Sequence, residues 1–406
     1  MNHDLLKEIQ KRPFLRPLFL WVIGILLTVY IPVLQRYSVL FLLPVASMLI
    51  ISFCTSSVAP INFNYRWLWG FSFACLIVFF SVQHTEQSIR SLDHVSHPSV
   101  IRQRVLDYRQ KLVNEFDRLA LTREQRSIAA SIVLGDRSAR EKSVVKKFTT
   151  SGVAHVLAVS GFHVGIIYLM LSYALCVLPL SLRRRLGPFV ALVVIWLYTL
   201  LTGLSGSTLR AALMLSVFLV GQLLGRSPEP FNTLAAAAFI MLFFSPLLWF
   251  DIGFQLSFMA VFFIFLLYPR ISRILSIRNP LIRTPWQWIT LSFSAQLGVM
   301  PLCLYYFGSI STLFLLSTIP ITLLTLPLFP IAIIWLLCPP SFFLSSGLGY
   351  VLQKLLAWMI DVVTAFSQLR GASIQYSIDF WEVILFYIIF FSLYWKWIKK
   401  RNYYKS

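Results

Sequence analysis

Long apolar runs succeed one another along most of this 406-residue chain, separated by short polar breaks. Each is close to the ~20 residues a helix needs to cross a hydrocarbon core of about 30 Å. A backbone in that core must satisfy its own hydrogen bonds, which leaves helices or a closed barrel, and the period-two alternation of barrel strands is absent. The expected fold class is all-α, a polytopic membrane bundle of about ten transmembrane helices joined by short loops. With 58% apolar and 12% charged residues, the chain lacks the polar surface of a water-soluble domain of its length.

The runs fall near residues 18–34, 38–59 and 67–83, then, after a polar gap, near 152–178, 188–203, 208–225, 232–248, 252–268 and 287–304, with a last near 380–395. Residues 311–338 contain Pro320, Pro327 and Pro330, which predict one kinked helix or two half-helices. Residues 347–369 carry Lys354 and Asp361 in a helical apolar pattern, fitting either a crossing or a helix lying on the surface. The first run exceeds a signal-peptide core and lacks a small-residue cleavage site, so a retained helix is expected.

The formal charge is +20, and the basic clusters set the topology. Lys7, Lys11, Arg12 and Arg16 precede the first run, Arg183, Arg184 and Arg185 follow the 152–178 run, and Arg270, Arg273, Arg278 and Arg283 follow the 252–268 run. Lys396, Lys399, Lys400 and Arg401 close the chain. The positive-inside rule makes all four clusters cytoplasmic, placing both termini in the cytoplasm of a multi-pass membrane protein and residues 84–150 outside. That outer segment holds 13 Lys or Arg against 8 Asp or Glu. Its apolar residues Val105, Leu112, Phe116, Leu119, Ile128, Ile132 and Val133 recur at helical spacing, predicting amphipathic helices on the outer surface. Its surplus positive charge suits a solvated face or a patch that holds a polyanion. Three parts result: an N-terminal three-helix segment over 1–83, a basic amphipathic loop over 84–150, and a transmembrane domain over 151–406.

Polar side chains within apolar runs are the candidate site, because each is expensive in hydrocarbon and usually faces a bundle interior or a polar path. His155, Ser160, Gly161 and His163 lie in Gly152-Val-Ala-His-Val-Leu-Ala-Val-Ser-Gly-Phe-His-Val-Gly165, with Ser160 and His163 three residues apart on one helical face. The histidines suit a proton relay, a polar substrate or interhelical hydrogen bonds; the glycines suit close helix approach or a break. Arg210 follows the flexible Gly203-Leu-Ser-Gly-Ser-Thr and needs a partner, for which Asp251 stands at a similar expected depth, or a route to the interface by snorkelling. Gln255 and Gln296 complete a set able to line a hydrophilic path.

No catalytic, cofactor or metal role is expected. Gly203-Leu-Ser205-Gly206 mimics a rhomboid-type protease motif, but no histidine follows His163. His84, His94 and His97 lack the clustered ligands of a hydrolytic metal centre. Cys54, Cys75, Cys176, Cys303 and Cys338 form no close pairs, and no Gly-x-x-x-x-Gly-Lys-Ser/Thr phosphate loop is present.

Four blocks resemble the ComEC/Rec2 competence family. They are Leu134-Gly-Asp-Arg-Ser138 leading into Gly152–Gly165; Thr202-Gly203 through Leu209-Arg-Ala-Ala-Leu-Met214, with Gly225-Arg226; Ser245-Pro246 with Asp251-Ile-Gly-Phe-Gln-Leu-Ser-Phe258; and Gln296, Pro301 and Tyr306-Phe-Gly308. The resemblance implies an inner-membrane channel component passing single-stranded DNA in natural transformation. It also implies partners: non-specifically bound single-stranded DNA, the lipid bilayer, and a separate DNA receptor, nuclease and cytoplasmic motor, with oligomerisation compatible. Full-length members carry an outer OB-like domain and a C-terminal metallo-β-lactamase-like domain. The 84–150 loop is short for the former and no His-x-His-x-Asp-His marks the latter, so the membrane core alone is expected here. A transporter or flippase for another anionic solute, and a membrane scaffold, are the alternatives.

Overall fold

The computed structural model describes residues 12–31, 33, 37–47, 66–91, 100–138, 140–275, 277–369, 371 and 373–403. Most of the expected 38–59 run, together with Lys7, Lys11, Cys54, His94 and His97, lies outside them. The fold is helical throughout, apart from a two-stranded antiparallel ribbon. Among the described residues, eight helices are long and apolar enough to cross a membrane. The chain divides into two compact units, residues 1–100 with 212–258 and residues 101–211 with 259–406.

In the first unit, α1 (Leu15–Tyr30) crosses α2 (Arg66–Ser91) at Gly24. A Cβ on Gly24 would lie 2.5 Å from Ser81 Cβ, so the crossing requires glycine. Without a hydrophobic drive between helices in lipid, such close backbone contact supplies the packing. Ser81 Oγ donates to Trp21 O at 2.6 Å, and Trp21 Nε1 to Leu242 O at 3.1 Å, so the polar groups at the crossing are satisfied. Trp21, Val22 and Ile25 bury against Ala238, Met241, Leu242 and Phe254. The expected 67–83 run proves to be the larger part of a helix that continues through His84, stacked on Phe243, to Ser91.

The second unit begins with α3 (Val100–Glu115), a 3-10 turn at Phe116–Arg118, α4 (Arg123–Leu134) and α5 (Lys142–Thr150). A capping box between Thr122 and Gln125 starts α4, and Gly135 in the left-handed conformation ends it. Nine of its twelve residues are buried, and Arg123, Glu124 and Arg126 keep the polar side. Ser127, Ala129, Ala130 and Ser131 are small enough for neighbours to close over both flanks, a signal that apolar spacing alone does not carry.

After α6 (Ala154–Leu157) and α7 (Gly161–Ala174) come α8 (Leu180–Leu201), α9 (Gly206–Leu223) and α10 (Pro230–Phe244), then α11 (Ile252–Ile271) and α12 (Pro280–Phe307). Strand β1 (Ser309–Ser311) leads into α13 (Phe314–Leu337) and α14 (Phe343–Gln368), and β2 (Ser373–Gln375) returns antiparallel to β1 before α15 (Phe380–Tyr403). Residues 311–338 therefore contain one continuous helix with its three prolines inside, as neighbouring helices and side-chain hydroxyls permit in a membrane span. Helix α14 packs against α13, α4 and α5 and is long enough to cross.

Candidate functional site

The 152–178 run is not one helix. Gly152 has φ +81°, and a Cβ there would lie 2.6 Å from Ser311 Cβ, so chain direction and the approach of β1 both demand glycine. Only four residues of α6 follow before Ala158 and Ser160 turn extended (ψ 135° and 175°), and α7 starts at Gly161. This break replaces the shared helical face expected of Ser160 and His163: Ser160 is the extended N-cap of α7, and His163 lies in its first turn. His155 lies exposed on α6, whereas His163 is fully buried in the first turn of α7.

His163 holds the break. Its Nδ1 accepts the Ser160 backbone N–H at 3.1 Å and lies 3.1 Å from Ser160 Oγ, while the His163 backbone N–H donates to Ser160 O. This is a capping box with imidazole in place of the usual Glu or Gln. An amide can only donate, so Nδ1 is the acceptor and the ring proton sits on Nε2. Nε2 has no hydrogen-bond partner among the described residues, and the ring meets Phe329 of α13 edge-on at 5.1 Å.

The upstream end of the break is closed by Arg140, whose Nη2 donates to Leu157 O at 2.7 Å and whose Nε donates to Ser131 Oγ at 3.3 Å. A cation at this carbonyl end satisfies the C-terminus of α6. Burial lowers the Arg140 pKa from its ordinary value, nearby Arg137 adds to that and Asp136 opposes it. Asp136 is itself buried: its Oδ1 accepts Ser138 N at 3.0 Å and Ser138 Oγ at 2.7 Å, with Arg109 Nη2 at 3.7 Å. Its Oδ2 has no partner among the described residues.

A third strand of chain meets the same place. Gly203 (φ +74°) and Leu204 (φ +54°) reverse direction between α8 and α9, and Thr202, Ser205 and Thr208 link their hydroxyls across the turn at 2.9–3.1 Å. Cβ atoms built on Gly135 would lie 3.3 Å from both Thr202 Cβ and Val159 Cγ2, joining the α4 cap, this turn and the break. Gly161 faces Ala211, where its Cβ would make ordinary contact at 3.6 Å, so α7 and α9 begin side by side. Arg210, 8% exposed, reaches back along the first turn of α9, its Nη1 3.2 Å from the site of a Gly206 Cβ.

Of the sequence-predicted residues, Ser160, Gly161, His163 and Arg210 thus surround two adjacent helix starts. Asp251 and Gln255 belong to the other unit and serve a helix start of their own. Asp251 Oδ1 accepts Phe254 N at 2.7 Å, and Gln255 Nε2 donates to Trp249 O at 3.0 Å. Gln296 is half-buried on α12, two residues before Gly298. Sequence reasoning passed over Arg109, Asp136 and Arg140 as site residues, although the Leu134–Ser138 block was the signal that pointed to them. Among the described residues, no group of three His, Cys, Asp or Glu side chains is placed to hold a metal ion.

The family described as Competence protein matches this chain over residues 132–400. ComE operon protein 3 of Bacillus subtilis (strain 168) is 32% identical over 251 residues, 62% of this chain and 30% of that protein. An uncharacterized protein of Aquifex aeolicus (strain VF5) is 30% identical over 160 residues, 39% of this chain and 37% of that one. The chain spans about a third of the length of these curated relatives. No solved structure matches.

Proposed function

Because this chain belongs to the Competence protein family, we propose that it is an inner-membrane channel component for uptake of single-stranded DNA in natural transformation. The observation that carries the reading is the interrupted helix at Ala158–Ser160 beside the start of α9 with Arg210. Irregular backbone at membrane depth is tolerated where it is enclosed by protein or lines a watery path. Helix starts carry partial positive charge and unsatisfied N–H groups, which suit phosphate, and Arg210 adds a full charge. His163, Ser160 and Arg140 hold this geometry, while Arg210 and the exposed His155 serve the path itself.

Binding would be electrostatic and independent of base sequence, and therefore steeply salt-dependent. A DNA receptor, a nuclease and a cytoplasmic motor are separate proteins in this reading, and both termini lie in the cytoplasm. The test is transformation frequency in a deletion strain of a competent host, complemented with wild type or Arg210→Leu at matched expression, with labelled DNA tracked by compartment. The expected result is at least a tenfold loss with Arg210→Leu and DNA retained outside the inner membrane. Normal arrival of DNA in the cytoplasm of the deletion strain overturns the proposal. The same paired helix starts would suit another anionic solute, and pH-dependent solute flux with DNA uptake intact would favour that transporter or flippase.

A further inference from the structure

Helix α13 has two unlike faces along its whole length. Ser317, Ile321, Thr325, Phe329, Ala332 and Trp335 are buried, and Leu316, Leu323, Leu326, Ile334 and Leu337 are exposed, 63% at Leu316 and 79% at Leu337. The exposed stripe runs from Leu316 to Leu337, 22 residues whose 21 rises of 1.5 Å come to about 32 Å, which matches the hydrocarbon thickness of a bilayer. An apolar stripe of that length needs lipid beside it.

The polar segment of the second unit follows the same helix from end to end. At one end, Ser317 Oγ donates to Ser151 O at 2.6 Å. At the other, Phe116 stacks on Trp335 at 5.7 Å and 12°, Leu119 fills the space left by Gly349, and Gln353 Nε2 donates to Ala120 O at 2.9 Å. Ser317 and Trp335 are about 27 Å apart along the helix axis. The chain from Phe116 to Ser151 therefore runs beside α13 through most of the thickness that its apolar stripe defines, with α4 packed on α13 and α14 between the two ends.

This segment cannot face lipid with its outer surface. Ion pairs take up Glu115 with Arg118, Asp117 with Arg126, Glu124 with Lys147 and Asp136 with Arg109. Arg104, Lys111, Arg123, Arg137, Lys142 and Lys146 are exposed, with no ion pair among the described residues, against an exposed Asp107 and a half-buried Glu141. Charges at bilayer depth face a watery cavity or a partner. A cavity of about 220 Å³ also opens at the Trp335 end, where Glu115, Arg118, Ser345 and Ser346 face it beside Leu119 and Leu336, with room and polar partners for water.

We infer that residues 101–151 are the basic wall of an aqueous cleft that runs alongside α13 through the membrane's thickness, and that this wall holds the phosphates of a polyanion. The choice of polyanion rests on the DNA reading above; the cleft does not. The experiment uses full-length protein with its five native cysteines replaced by serine or alanine, reconstituted in nanodiscs and treated with a membrane-impermeant thiol reagent. Lys111→Cys, Arg118→Cys and Lys146→Cys are expected to react at least tenfold faster than Leu323→Cys and Leu326→Cys. All five positions are exposed in the folded chain, and full reaction after denaturation in SDS controls for thiol content. A single-stranded oligothymidylate is expected to slow the three wall positions at least threefold at low salt and not at high salt. Leucine positions reacting as fast as the wall would overturn the cleft, because α13 would then stand in water. Fast wall labelling without oligonucleotide protection would overturn the polyanion as its occupant and leave the DNA reading to stand or fall on the transformation assay.

Discussion

Glycine and serine meet a helix at two places in this molecule with opposite results. At Gly24 the backbone stays helical, the missing side chain admits Ser81, and the serine hydroxyl bonds a carbonyl of the neighbouring helix. Between Gly152 and Ser160 the backbone leaves the helix, and a serine, a histidine and an arginine take over the bonds the helix would have made. The residue types are alike. What differs is φ: Gly152 lies at +81°, where side chains are strained, whereas Gly24 is an ordinary helical residue whose only constraint is space.

That contrast is open to attack by substitution. Gly24→Leu forces a branched side chain into Ser81 and is expected to destabilise the first unit by about 3 kcal/mol, read as a lower melting temperature in detergent. Adding Ser81→Gly to a milder Gly24→Ala should relieve the overlap and recover part of the stability, the rest being lost with the Ser81 hydroxyl's bond to Trp21 O; no recovery would mean the crossing is held otherwise. Gly152→Ala is expected to cost about 2 kcal/mol from strained φ and overlap with Ser311 together. There Ser311→Gly should recover the overlap alone, leaving about 1 kcal/mol. Full recovery would erase the distinction between crossing and break.

Smaller effects sharpen the account of the break itself. Arg140→Met removes charged donors from Leu157 O and Ser131 Oγ and is expected to cost about 1.5 kcal/mol, seen as faster proteolysis near residues 155–160 as well as a lower melting temperature. His163→Ala removes the cap for about 1 kcal/mol, whereas His163→Gln keeps an acceptor at the same helix position and should cost only a few tenths. Transformation tells cap from proton relay. A cap is rescued by glutamine, and a relay is not, so loss of DNA uptake in a well-folded His163→Gln protein would remove the capping role from the mechanism.

Much of this was legible in the residues. Apolar run lengths gave the helices, and the prolines of α13 were visible even though their consequence was not. Pro320, Pro327 and Pro330 remove helix donors in any setting, but whether the helix survives depends on what packs around it. Burial cost alone led to His155, Ser160, His163 and Arg210. It did not tell a helix cap from a path-lining group, because both need a polar side chain in an apolar run. Arg109, Asp136 and Arg140 were hidden in a charged stretch, where a buried ion pair and a solvated one have the same letters.

The sequence by itself determined the helical membrane class, because hydrogen-bond satisfaction in hydrocarbon is a local demand, and it marked Gly152–Gly165 as a candidate site without deciding between close helix approach and a break. Tertiary structure decided that α4 is buried on most sides, that His163 binds its own helix cap, and that residues 116–151 follow α13 from end to end. Those depend on which surfaces are brought within a few ångströms of each other, and contact between residues a hundred or two hundred positions apart leaves no periodic trace in the chain.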